Sequence, residues 1–456
     1  MMKKNDLFAV RDLFVVLLLV TVLAGLTRAD VQLPAVIDSH MVLQRDMPLP
    51  IWGKADPGEA VSVRLDNKDP VKTKADDKGA WKVVLPPVKA DGKPHSLHIT
   101  GKNTIALEDI LIGEVWVGSG QSNMEFGLGS TIKGKETIAA ADRPQIRLFH
   151  VPKVQAKKPA DDVKARWTVC TPKTVGRFSG VLYHFGLRLH NELDVPVGLI
   201  NSSWGGSPIE PWTVTDKGSG GMYNGMIAPL QPLAIRGAIW YQGETNVFRK
   251  NGLAYFDRMK ALIEGWRKTW GRDMPFYFVQ IAPWSGGYAA GELPALWEAQ
   301  VKSLKIPGTG MAVTTDLVDN IGDIHPRNKF DVGNRLALWA LAKNYGKTAL
   351  VYSGPLYKSM KVEGNKIRIE FAHGKGLKSR DGKPLSEFQI AGADGKFLPA
   401  EAAIDGDTVV VQAAAVEKPT QVRFGWHKVA NPNLVNTEGL PASPFQTDNW
   451  QGGTGQ

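Results

Sequence analysis

The chain has one cysteine, Cys170, in 456 residues, which excludes an intramolecular disulfide and any cysteine-based metal cluster. Following Trp167-Thr-Val, Cys170 reads as a small buried hydrophobe. No uninterrupted apolar run reaches the roughly twenty residues of an ordinary membrane-spanning helix. Internal repeats, low-complexity tracts and dense basic stripes are also missing. The net charge of +10 comes from lysines and arginines interleaved with acids, as between Asp66 and Lys78. That pattern describes a solvated surface suited to acidic glycans or an anionic envelope, and no nucleic-acid partner is expected.

Against these absences, the content is that of a globular chain long enough for two or three domains, with 43% hydrophobic and 22% charged residues. Lys3, Lys4 and Arg11 precede the apolar run Leu13–Leu26 and the small-residue stretch Thr27-Arg28-Ala29. This is the pattern of a secretory signal peptide over residues 1–29, with a retained anchor as the alternative reading. Export to a periplasmic or extracellular location follows, with no stable membrane span after cleavage.

Residues 30–104 show short alternating runs such as Ala60–Leu65 and His95–Thr100, broken by Asp56-Pro-Gly58 and Asp91-Gly92, which predicts an all-β, sandwich-like module. Over residues 105–349 the period changes. Strands predicted at 111–117, 145–151, 197–201, 237–241, 275–281 and 310–315 alternate with helices at 180–193, 255–270, 293–304 and 329–345. The fold class is therefore α/β, a mainly parallel sheet with helices on both faces. Strands return over residues 350–449 as a second all-β module, and 450–456 reads as a glycine-rich flexible tail.

Ligands of such sheets sit beyond the carboxyl ends of the strands. Ser122, in Gly118-Ser-Gly-Gln-Ser-Asn123, leaves one strand through a glycine turn, and His325, in Gly322-Asp-Ile-His-Pro326, leaves another. A serine hydroxyl needs a neighbouring base to attack a carbonyl. Ser122 as nucleophile, His325 as base and Asp323 as its orienting carboxylate would form a triad. Alternatives stand beside each assignment. Ser122 is placed equally to cap the next segment, Ser119 is a rival nucleophile, and Asp316 and Asp319 compete with Asp323, which is itself a candidate helix cap. Donors for an oxyanion are available from the Ser122 N–H, the Gly205/Gly206 turn and the Gln242 amide. Trp204, Trp212, Trp240 and Trp284 fall near the same edge, where flat rings suit sugars, although core packing competes as their role.

Four segments, Gly113–Glu125, Ser203–Trp212, Trp240–Asn246 and Asp323–Lys329, together with Asn436–Phe445, resemble the SGNH (GDSL-like) hydrolase superfamily and, within it, the sialate O-acetylesterase family of carbohydrate esterases. The resemblance implies that this sheet is an SGNH-type, flavodoxin-like core with Ser122 as nucleophile and His325 as base. Gly205 or Gly206 then supplies the block-two glycine, and Gln242 stands where many members carry asparagine. One residue separates Asp323 from His325, whereas Asp-x-x-His is the common superfamily spacing, so a backbone carbonyl remains an alternative orienter. The expected activity is removal of acetyl groups from an acetylated carbohydrate, with Asn123, Trp204 and Trp284 as substrate contacts and with no cofactor or metal. Acetylxylan or another polysaccharide is an alternative substrate, and a non-catalytic glycan-binding role is the alternative of another class. The motifs specify no oligomeric state.

Overall fold

The structure is a computed structural model that describes residues 30–448. The expected signal peptide and the glycine-rich tail lie outside these residues. No helix among the described residues is long and apolar enough to cross a membrane.

The central sheet contains β1 (Thr104–Gly120), β2 (Arg143–His150), β3 (Trp167–Cys170), β4 (Val197–Ser203), β5 (Gly237–Tyr241), β6 (Phe276–Val279) and β7 (Thr309–Ala312). They lie in the order β7-β6-β5-β1-β4-β2-β3. All pairings are parallel except β2 with β3, which closes one edge in antiparallel sense. Every residue of β4, β5 and β6 is buried, as expected for a parallel sheet covered on both faces. Four long helices supply the cover: αA (Gly180–Leu193), αB (Tyr255–Trp270), αC (Glu292–Lys302) and αD (Lys329–Asn344). αA packs with αD and αB with αC. Ser179 caps αA by accepting from the Leu182 N–H (3.1 Å), and Asn328 caps αD by accepting from the Asp331 N–H (3.1 Å).

The N-terminal strands are not a separate sheet. The first part of β1 pairs antiparallel with His95–Thr100, which continues to Ala60–Leu65 and Val71–Lys74, before β1 runs on between β4 and β5. The expected module boundary at residue 104 thus falls at the start of one continuous 17-residue strand. Leu49–Lys54 and Ala80–Leu85 form a two-stranded layer, and its apolar residues join those of the central sheet in one core. The C-terminal strands have a core of their own, built around Ile367, Ile369, Phe388, Ile390, Val409, Val411, Val422 and Phe424. They form two four-stranded antiparallel sheets, one running from Leu356–Glu363 through Thr408–Gln412 to Glu401–Asp405, the other centred on Phe388–Ala391 and Gln421–Phe424. β3 was not foreseen; it supplies Cys170, fully buried as expected.

Where β1 passes from one region to the other, it carries Glu114, which is 0% exposed. Its carboxylate accepts from Gln44 Nε2 (3.0 Å), Arg45 Nε (2.6 Å), Arg236 Nε (2.9 Å) and the Tyr345 hydroxyl (2.8 Å). Burial pushes this carboxyl upward, but Arg236 and Arg45 outweigh burial and hold it below its ordinary range. Removing the carboxylate strands both guanidinium groups in a largely dry setting. Glu114→Ala should therefore lose about 3–5 kcal/mol of stability, read as a lower midpoint of urea unfolding. A midpoint equal to that of the unaltered chain would show that Glu114 does not hold these parts together.

Candidate active site

Three strand ends are stitched together at one edge of the sheet. The Gln121 N–H donates to Tyr241 O (3.0 Å) and the Trp204 N–H to Gly120 O (3.0 Å), so β1, β4 and β5 end around one turn. Gly120 makes this turn with φ +135°, and a Cβ there would lie 2.2 Å from Tyr241 O, so only glycine fits. The turn leads into the short helix Ser122–Glu125, whose first residue is Ser122.

His325 arrives from the loop after β7. Its Nε2 lies 2.9 Å from Ser122 Oγ across a separation of 203 residues, a distance suited to proton transfer. Asp323 Oδ1 lies 3.5 Å from His325 Nδ1 and accepts the His325 backbone N–H at 2.8 Å. The first distance is too long for a strong hydrogen bond. Asp323 thus acts on the imidazole mainly through its charge and on the loop through the shorter bond. It does not cap αD, which begins at Lys329 behind Asn328. The rival carboxylates are committed elsewhere, Asp316 to Arg335 (2.7 and 2.6 Å) and Asp319 to Arg327 Nε (2.7 Å). Ser119, the rival hydroxyl, is fully buried without a hydrogen-bond partner.

Several expected contacts are absent. Gln242 is fully buried, and its Nε2 faces Gln121 Oε1 (3.0 Å), Asn246 Oδ1 (2.7 Å) and Ser207 O (3.2 Å), while its Oε1 accepts from the Tyr255 hydroxyl (2.6 Å). Both amide hydrogens are used, so Gln242 fixes the neighbouring loops and offers nothing to an oxyanion. The Gly205 N–H is also occupied, donating to Glu125 Oε2 (2.6 Å), a carboxylate that pairs with Lys153 (2.5 Å). Among the described residues, nothing accepts a hydrogen bond from the N–H groups of Ser122 and Gly206. Asn123 is fully buried, with its amide engaged inside the protein. Its Nδ2 donates to Glu244 Oε1 (2.6 Å) and to Ile324 O (3.0 Å), and its Oδ1 accepts from Lys329 Nζ.

The tryptophans divide. Trp212 and Trp240 are fully buried in the core, whereas Trp204 and Trp284 are partly exposed. Trp204, Gly205 and Gly206 line a cavity of about 410 Å³ rimmed by Arg249, Gln155 and Met222. Trp284 donates from Nε1 to Gly322 O (3.1 Å), just ahead of Asp323, and contacts Phe248 and Tyr288 edge to face. A larger cavity of about 740 Å³ lies beside Trp52 and Trp81, and none of the residues around Ser122 lines it. Among the described residues no group of three or more His, Cys, Asp or Glu is placed to hold a metal ion.

Sequence reasoning gave no role in the site to Lys329 or Glu244, both buried and both bonded to Asn123. Lys329 closes the Asp323–Lys329 segment, where nothing in the spacing marks its side chain as buried.

Comparison with known proteins places this geometry in context. Residues 112–342, which contain every residue of the cluster, match the family described as carbohydrate esterase, sialic acid-specific acetylesterase. The human sialate O-acetylesterase is 30% identical over 484 residues, covering 90% of this chain and 91% of its own. The mouse sialate O-acetylesterase is 29% identical, covering 90% of this chain and 93% of its own. A solved carbohydrate acetylesterase from Xanthomonas citri is 41% identical with a TM-score of 0.88, over 92% of this chain and 100% of its own.

Burial, and after it the positive charge of Lys329, pull the His325 imidazole below its ordinary 6.5, against the opposing pull of Asp323. Protonation of Nε2 removes the base, so hydrolysis of an aryl acetate should be level near neutrality and fall on acidification, with the midpoint of kcat/KM below pH 6.5. An acid limb centred above that value would contradict this electrostatic balance.

Proposed function

From the premise that this chain belongs to the sialic acid-specific acetylesterase family of carbohydrate esterases, we propose that it removes acetyl groups from sugar hydroxyls by way of a serine acyl-enzyme. The chain is a carbohydrate O-acetylesterase; the roles of the individual residues are the proposal. The observation that carries it is the 2.9 Å approach of His325 Nε2 to Ser122 Oγ at the carboxyl edge of the sheet.

In this reading His325 Nε2 accepts the Ser122 hydroxyl proton as Oγ bonds to the acetyl carbonyl carbon. The oxyanion of the tetrahedral intermediate receives the N–H groups of Ser122 and Gly206, the unoccupied donors of the two turns. Collapse breaks the bond to the sugar oxygen, which takes its proton from His325. Water then gives a proton to His325 and attacks the acetyl group, and the departing Ser122 oxygen recovers a proton as acetate is released. Asp323 favours the transient imidazolium and keeps the loop in register. The sugar extends from Ser122 toward the cavity lined by Trp204, Gly206 and Arg249, with Trp284 flanking the histidine side.

Sialic acid is the finer substrate assignment, supported by the names of the human and mouse relatives. Export belongs to the same proposal and is supported by the basic start and the apolar run Leu13–Leu26.

Ser122→Ala should lower hydrolysis of an aryl acetate by about a thousandfold or more, with an unchanged circular dichroism spectrum. Turnover retained in that variant would refute the acyl-enzyme. Acetate release from purified protein across O-acetylated sialic acids, acetylated xylan and acetylated pectin should favour the sialic acids; preference for a plant polysaccharide would replace that assignment.

A further inference from the structure

Beneath the Ser122–His325 pair lies a charged network that takes no part in these bond-making steps. Lys329 is 0% exposed and Glu244 2%. The two charges make no direct ion pair, because the Asn123 amide stands between them. Its Oδ1 accepts from the Lys329 ammonium and its Nδ2 donates to Glu244 Oε1 (2.6 Å), an orientation fixed by the opposite chemistry of its two neighbours. Among the described residues the second Glu244 oxygen has no hydrogen-bond partner, and burial pushes this carboxyl above its ordinary range. Asn123 Nδ2 also donates to Ile324 O (3.0 Å), joining the residue after Ser122 to the residue before His325. Phe126 completes the link. Its ring lies 4.9 Å from Lys329 Nζ on centroid measure and stacks on the His325 ring with centroids 6.1 Å apart.

Stability does not explain this placement. Desolvating an ammonium is costly, and Lys329 is the first residue of αD, where the helix dipole disfavours positive charge. A chain that breaks two local preferences at one residue beside its reactive groups commonly does so for function. Building on the esterase reading above, we propose that Lys329 is a positioning residue for ester hydrolysis. Its ammonium, held through Asn123 against Glu244, acts on His325 to keep the imidazole neutral and able to accept a proton, while Asn123 fastens the nucleophile turn to the histidine loop.

The surrounding charges set the sign. His325 is faced by Ser122 Oγ, by Asp323, which favours the imidazolium, and by Lys329, which opposes it. Lys329 is faced by Glu244, Asp319 and Asp323, and its ammonium lies 5.2 Å from the Tyr241 ring centroid. Tyr241, Tyr255 and Tyr288 border Glu244 as neutral phenols, each pushed upward chiefly by burial. Burial pulls Lys329 down to about 7, so the ammonium is charged throughout the acid range in which His325 takes up its proton.

The test uses the full chain with Lys329→Met and with the double variant Lys329→Met/Glu244→Gln. The double variant removes both buried charges together and carries the test if the single one fails to fold. Two readouts are taken, the pH profile of kcat/KM on an aryl acetate and the NMR titration of the His325 ring, assigned by difference from His325→Gln. In folded Lys329→Met both midpoints should rise by roughly half a pH unit or more relative to the unaltered chain, and in the folded double variant by a similar amount relative to Glu244→Gln, which has lost the same carboxylate. An unmoved His325 titration overturns the role of Lys329. An unaltered chain inert toward the ester overturns the esterase reading instead, so the two failures are distinguishable.

Discussion

The strand Thr104–Gly120 is the constraint on which the rest of the structure depends. It enters as a member of the N-terminal antiparallel sheet, passes Glu114 in the dry interior, and leaves between Val197–Ser203 and Gly237–Tyr241 as the centre of a parallel sheet. A parallel strand at that position is buried on both faces and cannot shift register without displacing its neighbours. The turn at its end is therefore fixed, and with it Ser122. Glu114 adds a second fixed point, since Arg45, Arg236 and Tyr345 reach it from different parts of the chain. The N-terminal strands thus contribute to the same frame that holds Ser122.

Rigid placement alone would not give a reactive pair, because His325 sits on a partly exposed loop. Two kinds of contact hold that loop. From inside, the Asn123 amide reaches Ile324 O, and Asp323 folds back onto the His325 N–H. Charge then decides the proton. Asp323 is outside and solvated and Lys329 is inside and dry, so the two act on the imidazole with opposite sign through different dielectric surroundings. The imidazole is lowered because burial and Lys329 together outweigh the exposed carboxylate. A base that is neutral at rest and stabilised only while it holds the serine proton is what acyl transfer requires.

Much of this was legible in the sequence, and the limits have physical causes. The helices at 180–193 and 255–270 and the strand at 237–241 are read to the residue, because apolar period and end signals agree there. Ser122 and His325 were legible because each follows a strand in a turn whose composition is otherwise hard to explain. Gln242 was misread because position after a strand says that a side chain is near the edge, not which way it points. Tyr255 and Asn246, which turn it inward, are set by tertiary packing. Asn123 failed for the same reason, its partner Lys329 lying 206 residues away. At residue 104 the change of period was legible, but not that one strand spans it: the alternating first part of Thr104–Gly120 and its continuously buried remainder read as two elements.

The C-terminal sheets have a core of their own, yet they also reach the histidine loop. Lys428 Nζ donates to Gly286 O (2.7 Å) and Tyr288 O (3.2 Å), and Lys428 O accepts the Trp284 N–H (2.8 Å). That clamp shapes the 284–288 loop. From it, Ser285 N–H and Oγ–H both donate to Ile321 O (2.9 and 3.0 Å), and Trp284 Nε1 donates to Gly322 O. The next residue is Asp323. A series of hydrogen bonds therefore runs from Lys428 to Ile321 and Gly322, just ahead of Asp323, and Gln280 bonded to Ser443 Oγ (2.9 Å) anchors the same two regions deeper in the interior. The outer face of the histidine loop is thus held by the last part of the chain and its inner face by the buried Asn123 amide. Neither contact alone fixes a loop whose side chains at Ile321 and Asp323 stand in solvent. The approach of His325 to Ser122 is therefore secured by residues spread far beyond the turn that carries Ser122.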